Sequence, residues 1–397
     1  MNNADHRDHA EVIDRTDWIA ERVDRLLQAG RFDDAIGYLR MLWGSLREPA
    51  DRLRCSTSLG YLYLLGDDLD AAHQWLTTAG QTATDATMAD DPHRLYALGQ
   101  VARHRRQPAL ATLFFLEAFV ETSDHHDEAE FLRSAALSMM TITGPQAPVA
   151  SMLLGALDRD LGNPYILDAL SQVYAAEERW IESLKTLTRL RGILENAKEA
   201  LVVYRGASDR QLLRDRLLGH PVGFDEVHRR TREINQAVRE HFAVVLDDRH
   251  RRGSTQLAAL RVHPSLARLI RALEDAPRAS ELLETAHHLW ARVQEANFRE
   301  VLGSRRIAAA LHVLTERIQW RIPTSLDEIA DHHRTPATSV DPAARVIAAQ
   351  LGLRLIDVSA LAPHLDPAQH PRLEHLSAAL LFGEPLASAR APVIRLG

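Results

Sequence analysis

The sequence predicts an all-α fold in which tandem helix pairs fill the N-terminal half and a C-terminal helical domain follows. Three observations support this fold class. Apolar residues recur at the helical period in many segments, and a pattern of small and large apolar residues repeats along the first half. Val and Ile never form the alternating runs of a half-buried strand, and aromatic residues make up only 6% of the chain, which argues against a large β-sheet.

Composition limits the chemistry and the location of the protein. The 397 residues suffice for two or three domains of ~100–200 residues each. The single cysteine, Cys55, excludes an intramolecular disulfide and a cysteine-based zinc site. Met1 to Arg15 has no apolar core, so we expect no signal peptide, and the longest uncharged stretch, Ser134 to Leu157, is interrupted by Gly144 and two prolines. We therefore predict a cytoplasmic protein without a membrane span.

The formal charge of −7 is unevenly distributed. Between Leu201 and Arg278 there are 15 arginines against 10 acidic residues, whereas the whole chain contains only two lysines. A GC-rich genome would produce this preference for arginine. Alternatively, the planar guanidinium group suits binding to carboxylates or phosphates.

Three segments of the N-terminal half align with one another, with equivalent positions 37 to 39 residues apart. Their shared positions are Leu26, Gly30, Phe32, Ala35, Leu39 and Leu42 in the first segment, Leu59, Gly60, Tyr63, Leu69, Ala72, Leu76 and Ala79 in the second, and Leu98, Gly99, Ala102, Ala111, Phe115 and Ala118 in the third. The pattern resembles the tetratricopeptide repeat, a helix-turn-helix unit of ~34 residues. The resemblance implies a right-handed superhelix, and we place about five units in residues 17–199; the alternative is an irregular helical bundle.

The small residues of the pattern have a physical role. Where the two helices of a unit cross, small side chains let the helix axes approach to the short end of the usual ~8–10 Å. We expect Gly60, Ala72, Gly99 and Ala111 at these crossings. We expect the large residues Leu76 and Phe115 to fill the groove toward the next unit.

In tetratricopeptide arrays the first helix of each unit lines a concave surface that binds a peptide or helix of another protein. Carried over position by position, the resemblance implies the partner-binding residues Tyr61, Leu64, Leu65, Tyr96, Gln100, Arg103, His104 and Gln172. Tyr and Arg are enriched at interface hot spots. The basic run 103–106 would either bind an acidic peptide or form a solvated helix end, where cations are favoured by the helix dipole.

The rest of the chain divides into a basic helical connector and a C-terminal part. In the connector, residues 200–280, the apolar spacing predicts a helix from Asp225 to Leu246, and the charged run 247–253 would either contact phosphate or form a solvated loop. Near the C-terminus, Leu353 to Val358 suits either a strand or a helix, and Leu373 to Phe382 predicts a final helix. The predicted organisation is thus 1–16 polar segment, 17–199 repeats, 200–280 connector, 281–365 helical module and 366–397 C-terminal helix and tail.

The helical module has a recognisable order of elements. We predict helices from Glu281 to Phe298, from Arg305 to Gln319, and from Ser325 to Asp331, the last marked by a capping box between Ser325 and Glu328. The order resembles one cyclin-box repeat of the TFIIB type, followed by the phrase of a helix-turn-helix. The residues that carry the resemblance are Ile307-Ala308-Ala309-Ala310-Leu311, Thr324, Glu328-Ile329-Ala330 and Thr335-Pro336-Ala337-Thr338.

This resemblance implies DNA contacts near the turn, since residues at the start of a recognition helix reach base edges and neighbouring arginines reach phosphates. The residues concerned are Arg334, Thr335, Thr338, Ser339 and Arg345. Pro342 leaves two alternatives: it interrupts the recognition helix, or it lies in that helix's first turn, where proline is tolerated. A packing module that binds protein is the other interpretation of the whole segment.

Sequence motifs for catalysis do not appear. The chain has no phosphate-binding glycine loop, dinucleotide fingerprint, His-Glu-x-x-His helix or Gly-x-Ser-x-Gly elbow. Residues 124–128 carry metal-compatible side chains, but adjacent residues rarely converge on one ion. We therefore predict no catalytic residues, no metal and no cofactor, and a non-catalytic scaffold or adaptor for protein–protein interaction. The alternative is a transcriptional regulator whose repeats bind a partner and whose C-terminal module contacts DNA; we rank a protein partner ahead of nucleic acid.

Overall fold

A computed structural model confirms the all-α fold class, since every regular element it describes is helical and none of its described residues lies in a β-strand. It describes residues 22–206 except 87, 89 and 146, residues 229–236 except 235, residues 264–295 except 275 and 277, and residues 303–382 except 357. The predicted polar segment 1–16, the charged run 247–253, most of the predicted helix 225–246 and the final tail lie outside the described residues.

Ten helices make up the N-terminal half that the structure describes. They are α1 (22–28), α2 (Phe32–Ser45), α3 (Pro49–Leu65), α4 (Leu69–Asp85), α5 (Pro92–His104), α6 (Pro108–Glu121), α7 (His125–Thr143), α8 (Ala147–Arg159), α9 (Pro164–Ala176) and α10 (Trp180–Gly206). Among the described residues that follow, the helices are α11 (described over 229–234 and 236), α12 (Pro264–Leu273), α13 (Ala279–Glu295), α14 (Ser304–Ile318), α15 (Leu326–His333), α16 (Val340–Leu351), α17 (Val358–Leu361) and α18 (His370–Phe382). No helix within the described ranges combines the length and the apolarity needed to cross a bilayer.

The first ten helices form five consecutive pairs, and each pair is joined by a turn of three residues. Every turn contains a residue with positive φ, at positions 30, 67, 106, 144 and 178. In four of the turns the next residue donates its N–H to the carbonyl five residues earlier, as Asp68 does to Tyr63 at 2.9 Å and Arg179 to Tyr174 at 2.8 Å. This is the Schellman ending of a helix. Its recurrence confirms the helical-repeat character of this half of the chain.

Within the pairs, glycines lie directly beneath large side chains. A Cβ on Gly60 would lie 2.5 Å from Leu76, and one on Gly99 would lie 2.5 Å from the Phe115 ring. As predicted, Ala72 is fully buried, and Ala111 likewise. Leu76 and Phe115, which we expected to fill the groove toward the next unit, each contact the glycine of their own pair, because the short turn places them opposite it.

The chain separates into two compact units. In terms of described residues, the first contains 22–121 and 196–206, and the second contains 122–195, 229–236, 264–295 and 303–382. The division after Glu121 falls within the predicted repeat segment, between the third and the fourth pair. The fourth and fifth pairs therefore belong to the same unit as the C-terminal helices.

The C-terminal helices begin close to the predicted positions. The capping box is present, since Ser325 Oγ accepts from Glu328 N at 3.2 Å and Glu328 Oε2 accepts from Ser325 N at 3.3 Å. Helix α16 begins at Val340 and has Pro342 as its third residue. Of the two alternatives for this proline, the first-turn position is the observed one. In the apolar segment after Gly352, the described residues 353–356 lie in neither strand nor helix, and Val358 begins α17.

Candidate partner-binding site

The predicted groove residues of α3 and α5 mostly hold helices together. Tyr61 donates its hydroxyl to the His93 carbonyl at 2.8 Å and so joins α3 to α5. Leu64 is 3% exposed and Tyr96 2%, while Leu65 packs against the apolar core between α2 and α3. These side chains stabilise the stacking of the first unit.

Gln100 is fully buried, and neither polar atom of its amide has a hydrogen-bond partner in the described structure. It lies in a run of nine buried residues, 94–102, that covers every face of α5. Because a buried side chain offers no surface to a partner, the groove prediction needs correction at Gln100, as it does at Leu64 and Tyr96.

The basic run at the end of α5 is the accessible part of the predicted surface in the first unit. Arg103 is half-buried and His104 is exposed, and burial together with the charge of Arg103 lowers the pKa of the His104 imidazole. Arg105 forms an ion pair with Asp70. Arg103 and His104 lie in the last turn of α5, the position where the helix dipole favours cations.

In the second unit a cleft of about 300 Å³ lies between α9, α10 and α11. Its lining includes Ser171 and Gln172 of α9, Leu187 of α10, and Arg230, Glu233 and Ile234 of α11. Gln172 is the predicted partner-binding residue of the fifth pair. Here the first helix of a pair does line a concave surface, and part of that surface is covered by a helix of the same chain.

Asp168 is the polar centre of the contact between α9 and α11. Its carboxylate accepts a hydrogen bond from Gln172 Nε2 at 3.0 Å and lies 2.6 Å from Arg230 Nη2. The side chains of Arg230 and Asp168 are only 18% and 17% exposed. Because water is largely excluded, this ion pair is screened less than a surface pair.

The α11 helix presents one face to the cleft. Ile234 is 8% exposed and lies four residues after Arg230, so both side chains project from the same side of the helix. Arg229, Arg232 and Glu233 are exposed. The seated face thus combines one guanidinium group with one branched apolar residue.

Local sequence explains why α9 and α10 are fixed against each other; together they are called the platform below. Asn163 caps α9 by accepting from Tyr165 N at 3.0 Å and Ile166 N at 3.3 Å, and Pro164 occupies the first helical position. Ser183 of α10 donates to the Ser171 carbonyl at 2.8 Å. The buried Tyr174 ring, whose pKa is raised to about 12 by burial, lies 4.4 Å beneath the Arg179 guanidinium group.

Charge complements shape at this site. Residues 164–187, from the start of α9 to Leu187 of the cleft, carry four carboxylates against one arginine and one lysine, whereas the described residues of α11 carry three arginines and one glutamate. Opposite net charges favour docking and select the orientation of the docked element. The arginine bias of the connector therefore has, at Arg230, a carboxylate-binding use.

The platform continues into the C-terminal helices through a polar joint. Arg159 of α8 pairs with Glu128 of α7 and donates to the carbonyls of Gly155 at 2.9 Å and Trp320 at 2.7 Å. A Cβ on Gly155 would lie 2.5 Å from the Trp320 carbonyl oxygen. Arg278 reaches Asp158 at 2.9 Å in the same region. The fourth helix pair is thereby fixed to the end of α14.

The residues implied in DNA contact lie around the turn between α15 and α16. Arg334 ends α15 in the left-handed conformation and is exposed, as is Thr338. Thr335 Oγ1 and Ser339 Oγ lie 3.3 Å apart. Arg345 forms an ion pair with Asp341 at 2.6 Å and lies 4.5 Å over the Phe382 ring.

The charges on this face do not resemble those of a phosphate-binding surface. Helix α15 exposes Asp327, Glu328 and Asp331, and the arginine of α16 is already paired. Phosphate binding depends on clustered Lys and Arg that neutralise the nucleic-acid backbone. DNA contact stays a prediction, and the charges on these two helices favour a protein as the ligand.

A buried histidine pair in the second unit was missed by sequence reasoning. His312 Nδ1 lies 3.1 Å from His333 Nε2, and His312 Nε2 lies 3.6 Å from the Glu316 carboxylate. Burial raises the pKa of Glu316, but hydrogen bonds from His312 and Thr324 outweigh that effect and lower it overall. Burial lowers the pKa of His333 to about 3. The spacing of His312 and Glu316, four residues apart on one helix, was the available signal.

These contacts join α14 to α15 within the interior. His333 is fully buried and His312 is 7% exposed, so the pair is closed to a substrate. No group of three or more His, Cys, Asp or Glu side chains among the described residues is placed to hold a metal ion. Of the 124–128 cluster, Asp124 caps α7, Glu128 pairs with Arg159, and His126 pairs with Asp160.

No protein-family model matches the chain, and no curated protein matches it.

Proposed function

We propose that the protein is a non-catalytic, cytoplasmic adaptor that binds a helix of another protein on the surface of α9 and α10. One observation supports this function above the others: that surface already holds a helix of the same chain, α11, through an ion pair at Asp168 and an apolar contact at Ile234. A concave helical surface with a carboxylate at its centre is suited to a basic amphipathic helix, which is one of the recurring modes of peptide recognition.

The remaining geometry supports the same proposal. The caps, the Schellman turn and the bond between Ser183 and Ser171 fix α9 against α10 before any ligand arrives. A preformed surface loses less conformational entropy on binding than a mobile one. The joint at Arg159 and Trp320 adds the C-terminal helices to the same unit, where they can carry a second contact.

The proposal is tested by affinity capture with the full-length chain as bait. The cleft variant combines Asp168→Asn with Gln172→Ala. The matched control combines Asp85→Asn with Gln81→Ala, because Gln81 donates to Asp85 at 3.3 Å across the same four-residue spacing on an exposed part of α4. We expect a partner retained by the unmodified chain and by the control to fall at least about tenfold with the cleft variant, on the scale of a lost charged hydrogen bond.

Two outcomes would contradict the function. Quantitative mass spectrometry would show equal recovery of every captured protein with the cleft variant and the control. Alternatively, the unmodified chain would retain nothing beyond an unrelated bait of similar charge.

A further inference from the structure

We propose that α11 is an internal ligand of the α9–α10 surface, and that the external partner is a helix of the same chemistry that must displace it. This inference rests on the proposed function and specifies its ligand. The partner helix carries an arginine toward Asp168 and a branched apolar residue four positions later, at the place of Ile234.

The part of the α9–α10 surface that holds α11, here called its seat, is formed by Asp168, Gln172 and Leu187. The contact between α11 and this seat has the features of ligand recognition. Arg230 and Asp168 exclude most water from their ion pair. Gln172 holds the other carboxylate oxygen of Asp168, so the acceptor is oriented for one guanidinium group. Leu187 and Ile234 line the apolar side of the same cleft.

Arg232 lies on the exposed side of α11 and does not line the cleft. Arg229 is also exposed and pairs at 2.5 Å with Glu233, which itself lines the cleft. The chain therefore offers, within one turn, arginines that do and do not contact the seat. A sequence-matched test is possible for that reason.

The described contact of α11 with the α9–α10 surface consists of one ion pair, at Asp168, and one buried apolar side chain, Ile234. A competing helix that offers the same two groups can replace both contacts, so displacement of α11 costs the surface no interaction. A competing helix meets a site that is open only part of the time, and its apparent affinity falls by that open fraction. Weakening the internal ligand should therefore tighten binding of an external one.

The test uses the purified full-length chain and a fluorescein-labelled synthetic peptide with the sequence of residues 222–242. Fluorescence anisotropy compares the unmodified chain with Arg230→Glu, which repels Asp168, and with Arg232→Glu, which makes the same charge change on the exposed face. We expect the peptide to bind Arg230→Glu at least about tenfold more tightly than either other chain. Adding Asp168→Asn to Arg230→Glu should remove that gain.

A second measurement covers the case in which Arg230→Glu fails to fold. Excess peptide, added to the unmodified chain, should accelerate hydrogen exchange of the 229–236 amides as α11 leaves its seat. A peptide in which the arginine equivalent to Arg230 is replaced by glutamate should not.

The inference is overturned if Arg230→Glu folds without the gain, if Arg232→Glu gains equally, or if the peptide leaves exchange at 229–236 unchanged. Its failure is distinguishable from failure of the proposed function. Partner capture that depends on Asp168, with a peptide that does not compete, leaves the adaptor function and removes the internal ligand. If the peptide competes with α11 but the chain captures no partner, the internal ligand is supported and the adaptor function is contradicted.

Discussion

The helix pairs of the first unit and the fourth pair, in the second, are held in place by different kinds of contact. In the first unit Gly60 and Gly99 each receive a side chain of their own pair, as Gly99 receives the ring of Phe115. In the second unit Gly155 receives the backbone of Trp320, more than a hundred residues away, and Arg159 bonds the carbonyls of both. The first contact is steric and local; the second is polar and joins distant segments.

This difference teaches where specificity resides. A glycine beneath an apolar side chain can recur in every pair, because it needs only a small residue and a large one at fixed spacing. A buried arginine that donates to chosen carbonyls suits one partner segment, since each unpaired polar group would be costly in the interior. The Gly60 and Gly99 contacts of the first unit thus belong to its repeat, whereas the Arg159 contact of the second unit is adapted to one particular segment.

The largest expected effect comes from removing the arginine of the polar joint. Arg159→Met keeps much of the volume but leaves the Glu128 carboxylate, which is 15% exposed, without its main partner and deprives the Trp320 carbonyl of a donor. We expect the free energy of unfolding to fall by about 3–5 kcal/mol, as when one member of a buried ion pair is removed. Chemical denaturation at pH 7 measures the loss.

The control for that change lies in the first unit. Arg31 pairs with Asp34 at 2.6 Å, with side chains 61% and 53% exposed, so Arg31→Met should change stability by less than about 1 kcal/mol. Equal losses for the two variants would show that the joint at Arg159 is no stronger than a surface pair.

The next effect concerns pH, and it arises in the second unit. The folded protein keeps the His333 pKa near 3, below the usual value of about 6.5. The unfolded chain therefore takes up a proton at this residue first as the pH falls. The contribution of His333 to the free energy of unfolding is fully present above about pH 6.5 and is lost progressively toward pH 3. We expect the free energy of unfolding to fall by about 3 kcal/mol between pH 7 and pH 4 because of this residue.

Comparison of variants isolates this contribution. The charges that act on His333 are those of His312, His332 and Arg268. His333→Gln should weaken the protein at pH 7 yet flatten the fall in unfolding free energy between pH 7 and pH 4, because glutamine does not titrate. His332→Gln, at an exposed neighbour, should keep the steep fall. A slope unchanged in His333→Gln would mean that other groups cause the acid sensitivity.

The same division between local and distant contacts explains what could be predicted from the sequence. The fold class, the capping box at Ser325 and the burial of Ala72 and Ala111 follow from spacings of a few residues, where periodicity and propensity act directly. The first four turn positions follow as well, because their residues with positive φ lie 37, 39 and 38 residues apart, as the repeat does; the fifth follows after 34 residues.

Contacts between distant segments were not predictable in this way. The seat of α11 joins Asp168 to Arg230, and the polar joint joins Arg159 to Trp320. No local spacing relates such residues. Among the predicted groove positions, Gln172 lines the cleft, whereas Gln100 is buried because α5 is covered on every side; position within a repeat cannot reveal how much later chain packs over it.

The smallest effect tests the local contact of the first unit and shows why the same substitution can have opposite signs. Gly99→Ala would place its methyl group 2.5 Å from the Phe115 ring, a side chain that is fully buried and packed 5.3 Å from Tyr96. Overpacking of this kind costs about 1–3 kcal/mol, against about 1 kcal/mol gained in helix propensity, so we expect a net loss of up to about 2 kcal/mol.

Gly37 provides the matched case, because it lies within α2, is exposed, and has no atom within 4 Å of an added Cβ. Gly37→Ala should therefore stabilise the protein by up to about 1 kcal/mol. Thermal unfolding of the two variants gives the signs directly. If Gly99→Ala were also stabilising, the helices of the third pair would not be in the close contact that the repeat pattern requires, and glycine at this position would reflect sequence drift rather than packing.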